Sequence, residues 1–229
     1  MSYTKANLRI AIQQMIDDPN AARWTAPNLD ALTERTHDEL WAELHEIQPW
    51  LTSQLDTFTA AQLLAPGKID IRVTGDGAGQ LSKRFFRVQR LIRDRREYDE
   101  FHELSQKARI VVAAGLEISA PQFTYFVQGT EIWIHPLTVT SDVELRYAYL
   151  PTAYQTLAEG ATVEWPSGYE AALINEVAAR ALVKGDAEDM RQMKVLANEA
   201  FDRCKNALSR RMIHAQRMQA PDDAIHWGA

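Results

Sequence analysis

The sequence predicts an α+β fold, mainly α: a helical bundle with an inserted small antiparallel β region and a long C-terminal helix. Three observations predict it. Apolar residues recur at helical spacing near both ends, the period becomes two between Lys68 and Tyr149, and the last helical stripe runs for roughly 45 Å at 1.5 Å per residue. The expected segments are 1–67, the N-terminal helices of the bundle; 68–151, a β-rich insertion; 152–218, a C-terminal helical hairpin of the same bundle; and 219–229, a flexible C-terminal arm.

Thr4 stands where a helix N-cap belongs, and Leu8, Ala11, Ile12, Met15 and Ile16 follow on one face before Asp17-Asp18-Pro19-Asn20 ends the helix. Thr25 or Asn28 caps the next. Pro27 fits its first turn, and Leu29, Leu32, Thr36, Leu40, Leu44 and Ile47 continue an inward stripe that Pro49 breaks. Trp50, Leu51, Leu55 and Phe58 predict a further helical piece before the Pro66-Gly67 turn. At Lys68 the pattern becomes strand-like, with Ile69, Ile71 and Val73 alternating against Asp70, Arg72 and Thr74. Leu81 to Arg96 fits two periods at once. Leu81, Phe85, Val88 and Ile92 suit a helix, whereas Phe86, Val88 and Arg90 alternate as in a strand. Phe123, Tyr125 and Val127, then Gln128-Gly129-Thr130, then Ile132 and Ile134 read as a hairpin, and Val143 to Tyr149 completes the sheet.

Helical spacing returns after Tyr169 with Ile174, Val177, Ala178, Ala181 and Leu182. Gly185 and Asp186 suit a C-cap and an N-cap, giving an αα-hairpin into a helix that carries Met193, Leu196, Ala197, Ala200, Phe201, Cys204, Ala207 and Leu208.

Composition narrows function by exclusion. An apolar share of 46% and a charged share of 24% describe a folded chain rather than a disordered one. A net charge of −6 disfavours a protein that grips nucleic acid, because that affinity comes mainly from cations neutralising phosphates. The N-terminus lacks a basic stretch followed by an apolar one, and no apolar run reaches the roughly 18 residues that span a bilayer, so no membrane partner is expected. Cys204 is the single cysteine, and its place on an apolar stripe marks a buried hydrophobe.

Chemistry-bearing motifs are sparse. Gly75-Asp76-Gly77-Ala78-Gly79 lacks the spacing of a phosphate-binding P-loop and reads as a turn. His37 and His45 share a helical face with Trp41 but stand about 12 Å apart along it, too far for one metal ion. Ser167-Gly168 lacks the nucleophile-elbow pattern. No catalytic residue, metal or cofactor is expected.

Five segments follow one another along the chain: the opening helix, the Arg23-Trp24-Thr25 entry, the β insert, the Leu145-x-Tyr147 strand before Pro151, and Trp165-Pro166-x-x-Tyr169 ahead of Ala178-Ala179-Arg180-Ala181-Leu182. In this order they resemble the head-to-tail adaptor proteins of tailed bacteriophages, also called head-tail connector or head completion proteins. The resemblance implies a virion neck protein, assembled in the host cytoplasm. It implies a dodecameric ring beneath the portal that extends the DNA channel and offers a docking surface to tail or further neck proteins. It transfers no catalytic residue.

Two surfaces are candidates for that role. Glu39, Glu43 and Glu46 lie at helical spacing, and Arg84, Arg87, Arg90 and Arg93 belong to the densest basic run; complementary patches of this kind are what a head-to-tail subunit interface needs. Ile225, His226 and Trp227 are the expected portal-binding arm, with Trp227 as the aromatic anchor. The competing reading is a helix-turn-helix DNA-binding regulator built around Gly185. Against it, Glu188 and Asp189 would open the recognition helix and meet phosphates with like charge.

Overall fold

A computed structural model describes residues 3–64, 67–72, 80–93, 95–100, 124–135, 141–182 and 187–218. The chain divides into a helical unit, Met1–Pro49 with Pro151–Ala229, and a β unit, Trp50–Leu150.

The helical unit holds α1 (Lys5–Met15), α2 (Ala26–Ile47), α3 (Glu170–Leu182) and α4 (Ala187–Met218). Thr4 caps α1 as its spacing predicts, its hydroxyl accepting from the Asn7 N–H at 3.3 Å, and Leu8 and Ile12 point inward. Thr25 takes the N-cap position of α2 without a side-chain bond, and the proline in the first turn costs nothing there because its missing N–H has no helical partner. Helix α3 is buried almost all round. Its Ala172, Ala178, Ala179 and Ala181 are small, so neighbouring helices approach closely, while Leu173, Ile174 and Val177 fill the space between them. Helix α4 buries a single stripe, Ala197, Phe201, Cys204 and Leu208, which explains why so polar a sequence stays helical.

In the β unit, strands β1 (Ser53–Phe58), β2 (Lys68–Asp70), β3 (Arg84–Arg93), β4 (Arg96–Glu100), β5 (Thr124–Gln128), β6 (Glu131–His135) and β7 (Val143–Leu150) form one sheet in the order β1-β7-β3-β4-β5-β6-β2. Every pairing is antiparallel except β4 with β5. The predicted β5–β6 hairpin forms, with Gly129 in the left-handed turn at φ 59°. Phe58, Ile69, Leu91, Tyr98, Ile132 and Leu145 belong to a core that this unit makes for itself.

The predicted fold class is therefore corrected. The chain is not a helical bundle with a small antiparallel insert, because a seven-stranded mixed sheet with its own core accounts for the second unit. Two local readings explain the error. Residues 53–58, expected to be helical, form β1 because β7 offers them a ladder, with Ser53 opposite Ala148 through Phe58 opposite Val143. The ambiguous Arg84–Arg93 segment is the longest strand among the described residues, and bulges between Phe85 and Arg87 and between Val88 and Arg90 stretch its period. Phe85, Val88 and Leu91 consequently face Tyr149, Tyr147 and Leu145 at intervals of three, a spacing that mimics a helix. The predicted caps Gly185 and Asp186, the Gly75–Gly79 turn and the 219–229 arm lie outside the described residues.

Candidate functional site

The residues that carry the resemblance act first as fasteners. Trp165 Nε1–H donates to the Tyr169 carbonyl at 2.8 Å, and Gly168 at φ 89° takes the left-handed conformation that lets the intervening turn close. The Trp165 ring stands 5.6 Å from His37 and 6.4 Å from Trp41, and a His37 ring nitrogen meets the Glu164 carbonyl at 2.7 Å. The histidine and tryptophan of α2 thus anchor the entry to α3. In the β unit, Leu145 and Tyr147 of β7 are wholly buried, and the Tyr147 hydroxyl donates to Asp56 at 2.9 Å and accepts from the Lys83 N–H at 3.0 Å. Burial pushes the Tyr147 phenol up, so it stays a neutral donor.

Asp18 holds the Arg23-Trp24-Thr25 entry. Its carboxylate accepts from the N–H groups of Ala22, Arg23 and Trp24 at 2.7 to 3.2 Å. Burial by itself raises such a carboxyl, but the bonds from Trp24, Ala22 and Arg23, with the Arg23 charge, outweigh it and hold Asp18 below its ordinary value. Nearby, Arg9 grips Asp30 through two bonds of 2.7 and 2.8 Å and also reaches Glu159, while the buried Lys5 ammonium donates to the Gln155 and Leu157 carbonyls. This network ties α1 to α2 and to the segment after Pro151.

The acidic candidates lie on α2 and are not equivalent. Glu39 is committed within the subunit to Arg180 at 2.5 Å and Arg35 at 3.0 Å. The Arg180 hydrogen bond, opposed by burial and helped by Arg35, holds its carboxyl below the usual range. Glu43 and Glu46 are exposed.

The basic candidates lie on β3, and the bulges sort them. Arg84, Arg87 and Arg90 fall on the side away from the core at intervals of three, opposite Leu150, Ala148 and Arg146. After Leu91 the ordinary period of two resumes and turns Arg93 inward. It is 6% exposed, with Nε–H donating to Ser141 at 3.1 Å and Nη1–H to the Tyr98 hydroxyl at 3.4 Å. Arg93 is a structural residue of the β unit, whereas Arg90 is exposed and pairs with Glu97 at 3.0 Å.

Sequence reading missed three contributors. Arg146 stands directly opposite Arg90 on the outer face, a like-charge rung beside which the Glu97 carboxylate pairs with Arg90 at 3.0 Å. Its signal was the Leu145-x-Tyr147 alternation, which places residue 146 outward. Glu176 is buried under Arg180 Nε at 2.9 Å, an i,i+4 pair within α3, and under Lys194 Nζ at 2.6 Å, a contact between α3 and α4 that no spacing reveals. Asp18 was assigned only to a helix stop. Ile225, His226 and Trp227 lie outside the described residues.

Among the described residues, no group of three or more His, Cys, Asp and Glu side chains is placed to hold a metal ion, and no helix is long and apolar enough to cross a membrane. No curated protein matches the chain. The family model described as SU10 adaptor protein matches residues 3–224, nearly the whole length. With its two-unit fold and its fastened Trp165-Pro166-x-x-Tyr169 entry, the chain belongs to the SU10 adaptor protein family, a structural family of bacteriophage head-tail adaptors rather than of enzymes.

Proposed function

We propose that copies of this chain form a ring, dodecameric by the family resemblance, beneath the portal of a phage head. The ring extends the DNA channel and presents a docking surface to tail or further neck proteins. The observation that carries this reading is the family match across residues 3–224. Charge supports it in two ways. The net charge of −6 suits a conduit that DNA slides through, because many phosphate contacts per ring would hold the duplex. Each copy also carries two unlike patches, Glu43 with Glu46 on α2 and Arg87 with Arg90 and Arg146 on the β3–β7 face. A head-to-tail interface requires two different surfaces on each subunit, and opposite charge gives them a register.

The test is electron microscopy of the purified full chain, alone and mixed with portal protein. Rings in either sample are expected, with the portal stacked on one face. A monomer that shows no affinity for any capsid protein would overturn the proposal.

A further inference from the structure

The helical unit carries a groove of about 640 Å³ between α3 and α4. That size lies within the roughly 300–1,000 Å³ of sites that bury small ligands or side chains. Its surface is mostly apolar, with Ala179, Met190 and Val195 contributing to the walls. Val195 is 55% exposed and its neighbour Leu196 is 41% exposed, on a helix that buries Ala197, Phe201, Cys204 and Leu208. An apolar surface left open in this way marks a contact site.

The rim is cationic. Arg180, Arg191 and Lys194 line the groove against a single carboxylate, Glu176. Lys194 and Arg180 are already paired with Glu176, whereas Arg191 is exposed and has no carboxylate partner among the described residues. The matching occupant brings acid immediately beside apolar bulk. The chain beyond α4 has that composition: Asp222-Asp223-Ala224-Ile225-His226-Trp227.

We infer that the C-terminal segment of a second copy seats in this groove, with Asp222 and Asp223 toward Arg191 and Lys194 and with Ile225 and Trp227 on the apolar walls. Reach excludes the same chain. Lys194 lies 24 residues before Met218, about 36 Å along the helix at 1.5 Å per residue. The five residues from Met218 to Asp223 span at most about 18 Å when fully extended. Exchange of tails from copy to copy is a head-to-tail contact, which propagates around a ring. The inference needs a second copy and no portal, so it stands or fails separately from the channel reading.

A fluorescently labelled peptide of residues 219–229 is titrated into the full chain carrying Trp227→Ala, whose own tail lacks the anchor, with anisotropy as the readout. Saturable binding is expected. Val195→Glu and Arg191→Glu, both at exposed positions and checked for fold by circular dichroism, should each weaken it by at least about tenfold. A photo-crosslinker at position 227 of the full chain should join two copies at Met190–Asn198. Binding that neither substitution moves, crosslinks only within one chain, or crosslinks only to added portal protein would overturn the inference.

Discussion

Asp18 shows how one side chain sets a chain direction. Three backbone N–H groups converge on a carboxylate that spacing alone marks as a helix stop, so the Arg23-Trp24-Thr25 entry depends on an acceptor several residues before it. Asp18→Ala should therefore lower the thermal midpoint well beyond the effect of Glu43→Ala, a change at an exposed site. The pH dependence follows from the depressed carboxyl. Its contribution is present above the ordinary value of 3.8 and is lost as pH falls through the lower folded value. Urea unfolding of wild type and Asp18→Ala at pH 7 and near pH 3 should show the difference between them shrinking on acidification. Arg93 makes the same point for a cation. Arg93→Ala leaves the Tyr98 hydroxyl and Ser141 short of a donor inside the β unit and should destabilise by about 1–3 kcal/mol. Arg90→Ala, at the surface, should stay within about 0.5 kcal/mol in the same chemical denaturation.

At the scale of elements, β3 and α3 carry the design. Two bulges let β3 present Arg84, Arg87 and Arg90 along one side while Phe85, Val88 and Leu91 fill the core, so a single strand builds both a surface and an interior. Helix α3 works by smallness. Ala178 is fully buried beside Ile16 and Leu182, and its methyl group leaves no room for branching. Ala178→Leu should cost about 1–3 kcal/mol through overpacking, whereas Ala171→Leu on the exposed side should be near neutral. Differential scanning calorimetry of the two variants distinguishes packing from helix propensity, since Leu is a good helix former at both positions.

For the whole molecule, the proposed ring interface makes a reciprocal prediction. Glu43→Lys with Glu46→Lys should weaken assembly, as should Arg87→Glu with Arg90→Glu, and mixing the two charge-reversed chains should restore it, read by sedimentation at low and high salt. Assembly that neither reversal disturbs would remove these patches from the interface. The amphipathic helices at both ends, the β5–β6 hairpin, the inward Cys204 and the order of the resemblance segments were legible because each is written in local spacing. The extent of the sheet was not. Strand β1 exists through pairing with a strand about ninety residues later, and bulged β3 carries a period of three that sequence cannot separate from a helix. The charged candidates were legible as residue types but not as directions: Arg93 turned inward, Glu39 was taken by Arg180, and Arg146 came to lie beside Arg90. By itself, then, the sequence determined which segments bury apolar surface, and with what family they belong. Only the tertiary structure decided which partner each strand meets and which way each charge points, because long-range pairing and burial outweigh local preference.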